Sequence, residues 1–146
     1  SNLWSGMAQA RSRVAAVLSR VDVAVGNRQE CEMAVGVSDP EGAADALLER
    51  GVKLAIVKQG PKGTLAKTAD ERVWVDAWDV DVVNGLGAGD AFGGALIHGL
   101  VEGWDLERTI RYASAAGAYV CLHIECSTAM PTCEQLHAFV ETGVVS

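Results

Sequence analysis

The stretch NGLGAGDAF, Asn84 to Phe92, sets three glycines within five residues and follows them with an aspartate and an apolar run. Upstream, Val82–Val83 reads as the end of a strand, and the residues from Ala88 onward read as a helix. A glycine turn between strand and helix lets backbone amides converge on one spot. The helix N-terminus adds partial positive charge there, which is the chemistry of an anion site. The pattern is not a Walker phosphate loop, because no Lys-Ser or Lys-Thr follows the glycines. Nor is it a dinucleotide fingerprint: Gly85 and Gly87 fit the first two positions, but Asp90 stands where the third glycine belongs. Asp90 falls in the first turn of the expected helix. Such a carboxylate can simply complement the helix dipole. The alternative is a general base that takes the proton of an attacking hydroxyl, while the amides of Gly87, Ala88 and Gly89 hold a phosphoryl group in transfer.

The rest of the chain supplies an α/β pattern. Helices are expected at 7–20, Arg28–Val35, Pro40–Arg50, 88–102, 105–122 and 132–142, with Asp39 and Thr132 as N-caps. VDVAVGN (21–27) alternates as a strand. VKLAIVKQG (52–60) is nearly continuous in apolar residues, which suits a strand buried on both faces of a parallel sheet. Residues 63–76 read as a hairpin turning at Thr68–Glu71, and Asp81–Val83 as a last short strand. Gly93 and Gly94 lie inside a helix, where each costs about 1 kcal/mol relative to alanine. Either a ligand approaches them closely or helices pack through Gly89-x-x-x-Gly93.

The chain has 146 residues, the size of one domain, and its 49% hydrophobic content can build a core. A net charge of −7 argues against nucleic acid and anionic membranes, which call for clustered Lys and Arg. No apolar run approaches the roughly 18 residues of a membrane span, and no start resembles a signal peptide. The four cysteines form no C-x-x-C pair and read as reduced thiols in the cytoplasm. Cys121, His123, Cys126, Cys133 and His137 are close in sequence, but zinc sites favour shorter spacings. They read as small buried hydrophobes and surface histidines.

Several segments together resemble the PfkB or ribokinase-like carbohydrate kinases. NGLGAGDAFGGAL resembles their D-T-x-G-A-G-D-x-F signature. VAVGNRQECEMAVG carries N-x-x-E at Asn27 and Glu30. VKQGPKG carries G-x-x-G at Gly60 and Gly63, and SAAGAYV followed by AMP is similar to their nucleotide-side C-terminal region. The likeness runs from about residue 3 to residue 142. It implies the C-terminal half of a ribokinase-like three-layer α/β/α sandwich, with 1–146 as a single partial domain that binds ATP and carries the catalytic groups. It implies Asp90 as base and Gly87, Ala88 and Gly89 as anion hole. It places Lys58, Gly60, Gly63, Gly85, Ser114 and Gly117 on the nucleotide, and Asn27 and Glu30 toward Mg2+ through water. Each has a plainer alternative: Asn27 and Glu30 have capping-box spacing, and Gly60 and Gly63 suit a turn around Pro61.

Two positions depart from the family. The leading Asp-Thr is Asn84-Gly85; in relatives that acidic residue helps a monovalent-cation site, so the change weakens the case for potassium activation. A family asparagine on the adenine side is Ser114. Within the family, the wording is most similar to the subgroup that phosphorylates 5-dehydro-2-deoxygluconate in inositol catabolism. The resemblance implies an ATP-dependent kinase acting on a hydroxyl of a sugar or sugar acid. Its alternative is a truncated, non-catalytic nucleotide-binding or structural remnant. The sugar-contacting half lies outside the sequence, so the chain alone is expected to be inactive and, with an open sheet edge, to form a homo-oligomer.

Overall fold

The computed structural model describes residues 6–144, the side chain of Met7 excepted. The chain divides into two compact units, one ending at Trp74 and one starting at Val75.

The first unit runs α1 (Met7–Leu18), β1 (Val23–Asn27), α2 (Arg28–Val35), α3 (Pro40–Glu49), β2 (Leu54–Lys58), β3 (Thr64–Lys67) and β4 (Arg72–Val75). The helix starts follow the sequence closely. Asp39 accepts the Gly42 amide at 2.8 Å, with Pro40 in the first turn, and α2 ends on Gly36 at φ +80. The strands lie in the order β1-β2-β3-β4. β2 pairs parallel to β1, from Val23↔Leu54 to Asn27↔Lys58, and antiparallel to β3, from Ala55↔Lys67 to Lys58↔Thr64. The sheet is therefore mixed, which corrects the parallel sheet expected from the apolar run at 52–60. Leu54, Ala55, Ile56 and Val57 are all buried. A run of this kind records burial on both faces, and burial does not depend on strand direction.

One sheet face packs against α2 and α3. Ala55 and Val57 of β2 and Leu65 of β3 pack with Cys31, Ala34 and Val35 of α2 and Ala43, Ala44 and Leu47 of α3. Each large aliphatic side chain buried there contributes about 1.5–3 kcal/mol. The hairpin is tied to α3 by charge: Lys67 bonds Asp45 at 2.5 Å and Glu41 at 3.2 Å, and the Arg72 guanidinium also bonds Glu41. The Arg72 hydrogen bond, with help from Lys67, holds the Glu41 carboxyl below its ordinary range.

The second unit holds α4 (Ala88–Val101), α5 (Leu106–Cys121) and α6 (Cys133–Thr142). Asp105 caps α5 through the Arg108 amide at 2.9 Å, and Thr132 with Gln135 forms a capping box on α6. Trp78 and Tyr119 flank the buried Phe139, with ring centroids 5.1 and 5.7 Å away. Residues 76–87 form no regular element, so the strand expected at Asp81–Val83 is absent. The amides of Val83 and Asn84 both donate to the Cys121 carbonyl, at 2.8 and 3.1 Å. They satisfy a helix end that would otherwise lack donors, and Val82 and Val83 stay exposed.

Candidate active site

In the second unit the glycine turn leads into α4. Gly87 is the N-cap, at φ +86, in the left-handed region that favours glycine. A Cβ there would stand 2.6 Å from the Cys126 sulfur. Conformation and space therefore both call for glycine. The Ala88 amide makes a long bond of 3.4 Å to the Gly85 carbonyl. The amides of Gly87 and Gly89 meet no acceptor among the described residues. With the dipole of a 14-residue helix behind them, these amides suit a phosphate oxygen.

Asp90 is the third residue of α4 and its only first-turn acid, and it is exposed. It lines a cavity of about 340 Å³ together with Gly94, His98, Trp104, Tyr112 and Met130. The far wall is a braced aromatic set. Trp104 meets His98 at 5.3 Å and Tyr112 at 4.9 Å between centroids, Arg108 lies 4.2 Å over the Trp104 ring, and the Tyr112 hydroxyl shares a 2.7 Å hydrogen bond with His137 Nδ1. A Cβ at Gly93 or Gly94 would meet nothing within 4 Å, so among the described residues no helix packs closely against Gly93. The tight helix contacts sit at glycines the sequence reading did not select for packing. A Cβ at Gly99 would come 2.8 Å from Thr109 Cγ2, and one at Gly117 would come 3.1 Å from the Ala88 carbonyl oxygen. Gly117 is buried and sets α5 against the start of α4, while Ser114 on the same helix is half-buried and Gly85 is exposed.

In the first unit, Asn27 and Glu30 form a reciprocal cap. Asn27 Oδ1 accepts the Glu30 amide at 2.9 Å, and the Asn27 amide donates to Glu30 Oε2 at 2.7 Å. The register sets Asn27 beside Lys58, at the C-terminal ends of the two parallel strands, where open α/β sheets carry their ligand sites. Gly60 and Gly63 take φ of +56 and +106 around a 3-10 turn, closed by Gln59 N–H to the Gly63 carbonyl at 2.9 Å. The structural alternatives, a cap and a turn, are thus both realised. They use the same residues the resemblance selects. The neighbouring Cys31 thiol is pushed up to about 11, by burial first and the Glu30 charge second.

The remaining cysteines and histidines disperse. His123 Nδ1 bonds the Tyr119 carbonyl at 2.8 Å and His137 bonds Tyr112. Among the described residues no three His, Cys, Asp or Glu side chains converge on a metal position. Sequence reasoning missed the bridging by Asn84, whose Nδ2 donates to the Ile124 carbonyl at 2.9 Å and whose Oδ1 accepts the Leu86 amide at 3.1 Å. An Asn-Gly pair at a turn was the available signal.

Comparison with known proteins bears on this geometry. Residues 1–133 match the profile of the pfkB family carbohydrate kinases. A 5-dehydro-2-deoxygluconokinase from Photobacterium profundum is 37% identical over 135 residues, covering 88% of this chain and 40% of that protein. A candidate ribokinase II from E. coli, solved in complex with ATP and Mg2+, aligns with a TM-score of 0.83 at 32% identity, over 90% of this chain and 42% of its own. A double-mutant fructokinase from Vibrio cholerae O395, in its fructose, ADP and potassium ion bound form, aligns with a TM-score of 0.84 at 26% identity, over 94% of this chain and 46% of its own. The chain spans about two-fifths of the length of the curated relatives it matches.

Proposed function

The chain belongs to the pfkB family of carbohydrate kinases, and from that premise we propose that it supplies the phosphoryl-transfer groups of an ATP-dependent kinase acting on a sugar or sugar-acid hydroxyl. One observation carries the proposal. Asp90 stands in the first turn of a helix whose Gly87 and Gly89 amides meet no acceptor among the described residues, and it opens onto a cavity. The γ-phosphoryl group rests on the Gly87–Gly89 amides. The acceptor oxygen attacks its phosphorus, its proton passes to the Asp90 carboxylate, and the bond from phosphorus to the β–γ bridging oxygen breaks to release ADP. Bound Mg2+ would offset the charge of the phosphates. Glu30, beside Asn27, is the acid of this chain proposed to face it through water, since the cap uses only Oε2. The half-buried Lys58, Gly60, Gly63, Gly85 and Ser114 serve the nucleotide. Gly117 acts from beneath, by fixing Ala88.

The likeness to 5-dehydro-2-deoxygluconokinases supports 5-dehydro-2-deoxygluconate as acceptor and a cytoplasmic place in inositol catabolism. No helix among the described residues is long and apolar enough to cross a membrane. The test uses the full-length protein carrying this chain. Asp90→Asn lowers turnover on that sugar acid by about 10²–10⁴, the usual contribution of a general base, with little change in ATP affinity. Turnover near wild type removes Asp90 from this role, and a higher kcat/KM on ribose, fructose or adenosine overturns the substrate. Because the chain covers about two-fifths of its relatives, a second reading stands beside the first: by itself it is a nucleotide-binding unit without turnover.

A further inference from the structure

The turn that presents the Gly87–Gly89 amides is held by two backbone amides and one side chain. Val83 and Asn84 hang from the Cys121 carbonyl by their amides. Beyond them, among the described residues, the hydrogen bond that links the turn to the following loop comes from the Asn84 side chain. Its Nδ2 donates to the Ile124 carbonyl at 2.9 Å, and its Oδ1 accepts the Leu86 amide at 3.1 Å. Leu86 immediately precedes the left-handed Gly87, so this bridge fixes the peptide from which the amides fan out.

Nδ2 is a donor aimed at a carbonyl oxygen. A carboxylate in its place would set an anionic oxygen against the Ile124 oxygen with no proton between them. Such a pair is stable only with a cation bridging it, and potassium is a cation that accepts carbonyl and carboxylate oxygens in place of its water shell. The amide supplies covalently the positive end that the cation would bring. A monovalent cation therefore does not fit this turn, because Nδ2 already stands 2.9 Å from the carbonyl as its donor.

We propose that Asn84 is a positioning residue whose neutral amide bridge holds the phosphate-binding turn and makes that turn independent of a monovalent cation. Its effect on nucleotide rests on the proposed kinase site; the bridge itself does not.

The experiment takes the full-length protein as wild type, Asn84→Asp and Asn84→Ala. It measures MgADP affinity by calorimetry and melting temperature, in potassium chloride and in tetramethylammonium chloride at equal ionic strength. Wild type binds MgADP equally in both salts. Asn84→Asp binds about tenfold more weakly in tetramethylammonium, the scale of two lost hydrogen bonds, and recovers in potassium. Asn84→Ala is weak in both. A wild type that binds at least tenfold tighter in potassium overturns the proposal, and so do variants that match wild type in tetramethylammonium. If Asn84→Asp folds poorly, its melting temperature decides: a potassium-dependent rise absent from Asn84→Ala supports the bridge, and equal melting in both salts refutes it. A wild type that binds no MgADP in either salt sinks the kinase reading, while the melting comparison still reads the bridge.

Discussion

Gly87→Ala separates two demands that converge on one atom. The first is conformational. At φ +86 a side chain costs about 1–2 kcal/mol, because its Cβ crowds the neighbouring carbonyl. The second is steric. The new Cβ would lie 2.6 Å from Cys126 Sγ, while Met130 Cε and Val120 Cγ1 stand at an ordinary 3.6 Å. Contact between such atoms is comfortable near about 3.5–4.0 Å, so the sulfur must retreat by close to an ångström. Overpacking of that kind costs about 1–3 kcal/mol. The sum is about 2–5 kcal/mol, a large part of the roughly 5–15 kcal/mol that keeps a domain folded.

The two terms come apart in a double-mutant cycle. Cys126→Ala removes the sulfur and leaves the backbone as it was. In that background Gly87→Ala should cost only the conformational part, about 1–2 kcal/mol, leaving a coupling of about 1–3 kcal/mol. Urea denaturation followed by circular dichroism measures all four corners of the cycle. Equal costs with and without the sulfur would refute the steric term. A cost under about 0.5 kcal/mol in the Cys126→Ala background would refute the left-handed cap, since alanine cannot occupy that conformation so cheaply.

Gly94→Ala should stabilise the protein by about 0.5–1 kcal/mol in urea denaturation, since its Cβ meets nothing within 4 Å and alanine is the better helix former; the same methyl enters the cavity and should raise the KM for the acceptor. Glu41 titrates below its ordinary value in the folded state, so its contribution is present above the unfolded pKa of 4.5 and is lost as pH falls through the lower folded one. Glu41→Gln should therefore flatten the acid limb of a stability–pH curve by less than about 1 kcal/mol, the scale of a solvent-screened pair, and an unchanged limb would show that the pair contributes nothing. The 146-residue chain alone should scatter light as an oligomer, because β1 is an edge strand with Val23 and Val25 37% and 41% exposed; Val25→Lys should shift it toward monomer, and a stable monomer without that change would refute edge pairing.

The sequence carried most of the helices because their ends are written locally. Asp39 with Pro40, Asn27 with Glu30, and Thr132 with Gln135 each satisfy amides within three residues. Strand direction was not legible: β2 is buried on both faces whether its neighbours run parallel or antiparallel. The false strand at Asp81–Val83 shows the same limit. Its composition is strand-like, but strands need a partner, and here the Cys121 carbonyl draws the amides of Val83 and Asn84 to a helix end. Packing glycines were misplaced for a related reason. Gly99 and Gly117 touch Thr109 and Ala88 across space, and sequence spacing within one helix cannot show which face will meet another.

The same distinction between local and distant causes sets which residues can test the function. Asn27 and Glu30 close a cap with two hydrogen bonds, and such caps typically contribute about 0.5–2 kcal/mol. A loss of activity on mutating either one mixes a weakened helix with any loss at phosphate or metal. Gly60 and Gly63 are bound to their turn in the same way by positive φ. Asp90 is different. It is exposed, and α4 takes its cap from the Gly87 backbone with no side-chain cap bond. What the fold gains from its carboxylate is a dipole interaction of about 0.3–1 kcal/mol, which asparagine loses at the surface without leaving a buried group unpaired. A turnover loss of about 10²–10⁴ corresponds to about 2.7–5.5 kcal/mol of barrier, several times larger than that structural term. The size of the Asp90→Asn effect therefore separates chemistry from folding, which no substitution at the capped or turned residues can do.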